Sequence, residues 1–202
     1  KRLSNTVQKW RGHYDFSHEV KAAMDTCLAC KACASQCPIK IDVPSFRAKF
    51  FHFYHSRYLR PVKDHIVANL EIAVPYMSKQ AKFFNYFTKL KVTQTLVEKT
   101  LGMTDLPLLS EPNLQQQLVE IHYQGKSLEE LEDLSAVEKN GILFIVQDPY
   151  TSYYDAKVVR DFVMLTQKLG FTPILLPFKP NGKAMHIKGF LKRFSKTAQN
   201  QA

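Results

Sequence analysis

Between Asn140 and Phe178 the apolar residues fall into stretches with two different rhythms. "GILFIVQD" and "FTPILLPF" are near-continuous apolar runs of strand length, whereas "YDAKVVRDFVMLTQKLG" repeats its apolar residues at helical spacing and stops at Gly170. Buried strands on either side of a helix predict a right-handed βαβ unit with parallel pairing. A last helix is expected over "HIKGFLKRFSKTAQN", with Phe190 and Phe194 on a face that meets the part of the sheet missing from this stretch, and with Lys183, Lys188, Lys192, Arg193 and Lys196 clustered near it. A pair of strands does not make a stable sheet alone, so the rest of an α/β domain is expected beyond Ala202.

Upstream, the rhythm is helical. "SHEVKAAMDTC" places Val20, Ala23 and Met24 on one face. "IDVPSFRAKFFHFYHSRYLR" sets Pro44 in a first turn, where the missing N–H costs nothing, and repeats Phe46, Phe50, Phe53 and Tyr54 on one side. Residues 61–101 continue as helix, with Pro61 and Pro75 as breaks and Gly102 as the stop. The prolines of "GMTDLPLLSEPN" predict an extended connector. Beyond it Ser127 and Glu130 have the spacing of a capping box, with Leu128, Leu131, Leu134 and Val137 as the buried stripe of a short helix.

With 202 residues, 45% of them hydrophobic, the chain can bury a core and is not a disordered tail. No run of eighteen uncharged apolar residues occurs, so no transmembrane segment is expected. The net charge of +10 belongs to the first half: residues 1–100 carry seventeen Lys/Arg against seven Asp/Glu, and residues 101–202 carry eleven of each. Such a half admits nucleic acid, an anionic membrane surface or an acidic protein as a partner, but a solvated face counterbalanced by missing parts of the chain explains it better. The chain starts at Lys1 without a secretory pattern and is expected to be a piece of a longer polypeptide.

All four cysteines lie in "CLACKACASQCP". Cys27, Cys30, Cys33 and Cys37 follow C-x2-C-x2-C-x3-C-P, the bacterial ferredoxin spacing for a [4Fe–4S] cluster. Thiolates separated by two residues wrap a loop round one cube, and Ala29, Ala32, Ala34 and Ser35 leave room for it and for backbone N–H groups aimed at its sulfurs. Lys31 adds a positive charge that favours the thiolate form. Structural zinc takes separated ligand pairs and fits this crowding poorly. A disulfide framework requires an oxidising compartment, for which no export signal speaks. In two-cluster ferredoxins the fourth cysteine ligates the other cluster. On that precedent Cys37 serves a second centre, and the missing ligands lie in absent sequence, most simply upstream.

The stretch "CLACKACASQCPIKIDVPSFRAKF" resembles the iron–sulfur region of large FAD-linked oxidases of 2-hydroxy acids, the D-lactate and glycolate dehydrogenases among them, and above all their long single-chain, D-2-hydroxyglutarate dehydrogenase type. The resemblance implies an α-helical ferredoxin-like iron–sulfur domain over 1–106, a connector with a short helix over 107–139, and over 140–202 the start of an α/β domain with parallel strands, of the heterodisulfide-reductase cysteine-rich kind. It also implies an upstream FAD domain on the same chain that takes hydride from the substrate carbinol. Electrons then leave one at a time through the cluster to a quinone or a carrier protein. No FAD-binding sequence and no cysteines of the α/β domain are present, so no catalytic residue is assigned. Cytoplasmic location, at the membrane face or away from it, follows from reduced cysteines and the missing signal. Two other readings stand beside this one: a zinc-stabilised basic module that binds nucleic acid, which the resemblance disfavours, and a separate heterodisulfide-reductase-like iron–sulfur subunit.

His52 and His55 share a helical face but lack a third ligand, and they read as half-buried packing residues among Phe50, Phe51, Phe53 and Tyr54. "DPYTSYYD" follows a strand and opens a helix, without the glycines of a dinucleotide site, and reads as an interface.

Overall fold

The computed structural model describes Trp10, residues 15–125, Glu130, Ser135 and residues 139–201. The helix predicted from Ser127 onward, with Leu128, Leu131, Leu134 and Val137, lies outside the described residues. Contacts divide the chain into two units. One takes residues up to Ala68 together with Gly182–Asn200, and the other is built on Asn69–Asn181.

In the first unit α1 (Ser17–Asp25) leads into the cysteine loop, which contains the short α2 (Ala32–Gln36), and α3 (Val43–Arg57) follows. Asp42 caps α3: its carboxylate accepts the Ser45 N–H at 3.1 Å and the Ser45 hydroxyl at 2.7 Å, and Pro44 sits in the first turn as its residue type predicts. The buried stripe of α3 is Pro44, Arg47, Ala48 and Phe51. This corrects the aromatic stripe expected from the sequence, since Phe46 and Phe53 are exposed. The i, i+3, i+4, i+7 periodicity is present but hidden by an arginine at one of its positions.

The segment after Asn181 returns to these helices as α10 (Lys183–Ile187) and α11 (Leu191–Gln199). The last helix packs on α3 and α10. Gly189 makes the approach to α3 feasible: its φ is +72°, and a Cβ there would stand 2.7 Å from Phe51 Cβ and 2.8 Å from the His52 backbone nitrogen. Polar bonds fix the same contact. The Arg60 guanidinium donates to the carbonyls of Lys188 and Gly189 and lies 3.9 Å from the Phe190 ring centre. Lys188 Nζ lies 2.9 Å from Asp64, a residue near the start of α4 (Val62–Ser78).

In the second unit, α5 (Ala81–Lys89) and α6 (Lys91–Leu101) follow α4, and Gly102 ends α6 with φ +61° as expected. Pro75 does not break α4. It removes one backbone hydrogen bond close to the helix end, and the fully buried Val74 beside it packs with Ala81 and Leu109, which outweighs that loss. The connector is pinned by Asn85, whose amide donates to the Leu109 carbonyl and accepts the Leu109 N–H, both at 2.8 Å. It leads to α7 (Leu114–Glu120), which opens with a reciprocal capping box between Asn113 and Gln116.

The βαβ expectation holds in its pairing. β1 (Ile142–Ile145) and β2 (Thr172–Leu175) are parallel, in a register running from Ile142 opposite Thr172 to Ile145 opposite Leu175. Between them lie α8 (Pro149–Tyr153) and α9 (Ala156–Lys168). Ala156, Val159 and Val163 of α9 pack with Leu114, Leu118 and Ile145, and each fully buried valine or leucine contributes about 1.5–3 kcal/mol. Tyr123 closes the edge of β2, accepting the Leu175 N–H at 2.9 Å and donating to the Pro173 carbonyl at 3.1 Å. "DPYTSYYD" is a local brace: Asp148 caps α8, and the Tyr153 carbonyl accepts the Ser110 N–H at 2.8 Å.

Candidate metal centre

The cysteine loop is bounded by the end of α1 and the start of α3. Cys27 follows α1 closely, its N–H donating to the Met24 carbonyl at 3.2 Å. Ala29 and Lys31 then take left-handed backbone conformations, φ 55° and 62°, which turn the chain back on itself twice within a few residues. Lys31 is the residue before α2, so Cys33 lies on a helical turn, and the Cys37 N–H donates to the Cys33 carbonyl at 3.0 Å. Lys40, φ 52°, makes a further reversal after Cys37, with its N–H on the Cys37 carbonyl at 2.9 Å.

These reversals aim backbone donors at sulfur. The Ala29 N–H points to Cys27 Sγ at 3.4 Å. The N–H groups of Ile41, Ile39 and Lys40 hold the Cys37 thiol below its ordinary range, because each favours the thiolate. Across the loop, Lys31 Nζ stands 3.4 Å from the Asp42 carboxylate, itself held below the usual carboxylate range by the Ser45 hydroxyl and N–H. All four thiols are free; Cys30 is exposed and the other three are half-buried. Leu28, Ile39 and Ile41 stand uncovered beside them, with 87%, 74% and 50% of their surface exposed.

Among the described residues no three His, Cys, Asp or Glu side chains converge as a metal-binding group. Gathering thiolates is work that a bound metal performs, since binding and local ordering share one free energy. The donor chemistry of the loop fits an iron–sulfur cluster: unpaired thiols, small residues between them, and amide N–H groups directed at sulfur. His52 and His55 take no part in the loop. Burial holds the His55 imidazole below its ordinary range, and its Nε2 lies 3.9 Å from Asp64.

One participant escaped the sequence reading. Arg47 is 5% exposed. Its Nε donates to the Met24 carbonyl at 2.8 Å and its Nη1 to the Ile187 carbonyl at 2.7 Å. The signal available in the sequence was its place between Pro44, Ala48 and Phe51 at helical spacing.

What the chain is similar to, along its whole length, is one stretch of a much longer oxidoreductase. The relatives are named D-2-hydroxyglutarate dehydrogenase: that of Haemophilus influenzae is 96% identical over 202 residues, covering 100% of this chain and 20% of the relative. The protein of that name from Escherichia coli is 57% identical over 99% of this chain, and that from Pseudomonas putida 38% identical over 100%, again with 20% of each relative covered. The chain thus spans about one fifth of the length of the curated relatives it matches, and the family resemblance read from the cysteine run is borne out in their names. No family model matches the chain. No solved structure matches it either. Among the described residues no helix is long and apolar enough to cross a membrane.

Proposed function

We propose that this chain is the electron-transfer stretch of an FAD-linked 2-hydroxy-acid dehydrogenase of the D-2-hydroxyglutarate type, in which Cys27, Cys30, Cys33 and Cys37 ligate iron–sulfur clusters together with ligands from elsewhere on the polypeptide. The observation that carries the reading is the ferredoxin-spaced cysteine loop, with amide donors on its sulfurs, in a chain that matches one fifth of the length of its dehydrogenase relatives. A [4Fe–4S] cluster held there supplies one-electron transfer between a reduced flavin elsewhere on the polypeptide and an external acceptor, a quinone or a carrier protein.

The chain's own residues serve that role in identifiable ways. The N–H groups of Ala29, Ile39, Lys40 and Ile41 stabilise charge on the ligating sulfurs, and Leu28, Ile39 and Ile41 offer exposed apolar surface next to the cysteines in sequence. Substrate oxidation belongs to sequence outside this stretch.

The test is iron, acid-labile sulfide and zinc per chain after purification without oxygen, for this chain and for one lengthened upstream with the sequence of its relatives. Iron and sulfide in equal amounts in the lengthened protein are expected, with little in the shorter one. Stoichiometric zinc in both, or a lengthened protein with neither iron nor sulfide, overturns the reading.

A further inference from the structure

Arg47 is a charged side chain at a core position. Burying a guanidinium costs several kcal/mol unless its donors are satisfied and its charge is compensated. Its donors are met by two carbonyls, and the Phe51 ring centre lies 4.5 Å from Arg47 Cζ. Its charge is not met: among the described residues Arg47 forms no ion pair. A buried cation without a counter-ion is a feature to be explained.

Its hydrogen bonds suggest the explanation. The Met24 carbonyl that accepts Arg47 Nε–H also accepts the N–H of Cys27, so the guanidinium is one peptide oxygen away from the first cysteine of the loop. The same side chain reaches the Ile187 carbonyl, 140 positions later, and so ties the approach to Cys27 to the returning segment. Several thiolates and a cluster form an anionic centre whose charge grows more negative on reduction. A fixed positive charge at short range, in a poorly hydrated place, favours that reduced form.

We infer that Arg47 is a positioning residue for the cysteine loop whose guanidinium is the buried counter-charge of the centre and raises its reduction potential. This rests on the cysteines holding an iron–sulfur cluster. Arg47 touches neither sulfur nor substrate. It acts through the Met24 carbonyl and through its field.

The experiment compares the full-length polypeptide with Arg47→Gln and Arg47→Lys variants, read by iron and sulfide content, by the midpoint potential from an EPR-monitored redox titration, and by thermal midpoint. Glutamine keeps donors and drops the charge; lysine keeps the charge and loses the fork. A purely structural role lowers the thermal midpoint in both and leaves the potential of any bound cluster alone. The inference expects the preference for the reduced state to fall roughly tenfold in Arg47→Gln, about 59 mV for a one-electron couple, and to stay near the unmodified value in Arg47→Lys. Equal potentials in all three proteins overturn it. If Arg47→Gln does not retain iron, Arg47→Lys decides: its lysine loses its charge as the pH is raised toward about 10, so a potential that falls with pH more steeply than that of the unmodified polypeptide upholds the counter-charge, and parallel pH profiles refute it. Absence of iron and sulfide from the unmodified polypeptide removes the proposed function, and this inference falls with it.

Discussion

Replacing Asn85 by leucine tests how the second unit is held together. Asn85 is 5% exposed, and Leu109, the residue it pins, 4%. The native amide satisfies both backbone groups of Leu109, and its nitrogen also donates to Glu111. Leucine has a similar volume but leaves a buried N–H and a buried carbonyl without partners, at about 1–3 kcal/mol each, so a loss of roughly 2–6 kcal/mol is expected. A domain has only about 5–15 kcal/mol to lose. Urea unfolding followed by far-UV circular dichroism is the assay: at an m-value of about 2 kcal/mol/M, the midpoint falls by roughly 1–3 M with the slope unchanged. A midpoint within a few tenths molar of the unmodified chain refutes the reasoning, because it means that water reaches Leu109 or that the connector has another anchor. Asn85→Asp is a useful companion. It keeps the acceptor, loses the donor and sets a second carboxylate against Glu111, so it is expected to destabilise more at neutral than at acidic pH.

Gly189→Ala combines left-handed strain with a clash against α3 backbone and is expected to cost about 2–4 kcal/mol; trypsin should then cut at Lys183 and Lys188 faster than in the unmodified chain. Asp15 accepts a hydrogen bond from the Tyr58 hydroxyl, then from Ser17, and its carboxyl is held well below the usual carboxylate range. Its contribution is therefore complete above the unfolded value of about 3.9 and is lost as the pH falls toward the depressed native one. The unmodified chain should lose more urea resistance between pH 5 and pH 2.5 than Asp15→Asn does, and parallel profiles would remove Asp15 as the cause.

The parallel strand pair and α9 could be read from the sequence because each obeys a local rule: apolar runs of strand length, a helical period and Gly170 with φ +83° at the stop. The helices that flank the cysteine loop were legible for the same reason, the apolar spacing of the first and Pro44 in the first turn of the second. What escaped depended on partners distant in sequence. Arg47 broke the apolar stripe of α3 because its partners, Met24 and Ile187, lie on other segments. Pro75 looked like a break because the packing of Val74 cannot be seen from one helix. The box formed by Asn113 and Gln116 was missed for a different reason: the signal was local, but the prolines ahead of it drew the connector too far.

The return of Gly182–Asn200 to the first unit also has a consequence for biosynthesis. The helices on either side of the cysteines leave the ribosome long before the Ile187 carbonyl that Arg47 needs is made, 140 positions later. At about 5–20 residues per second that interval is of the order of ten seconds. During it the thiols hang on a nascent chain whose frame is unfinished, exposed to oxidation. Closure of the frame around the cysteines is thus tied to the progress of translation, and a pause between the codons for Ala68 and Gly182 would prolong the period in which Arg47 lacks its Ile187 partner.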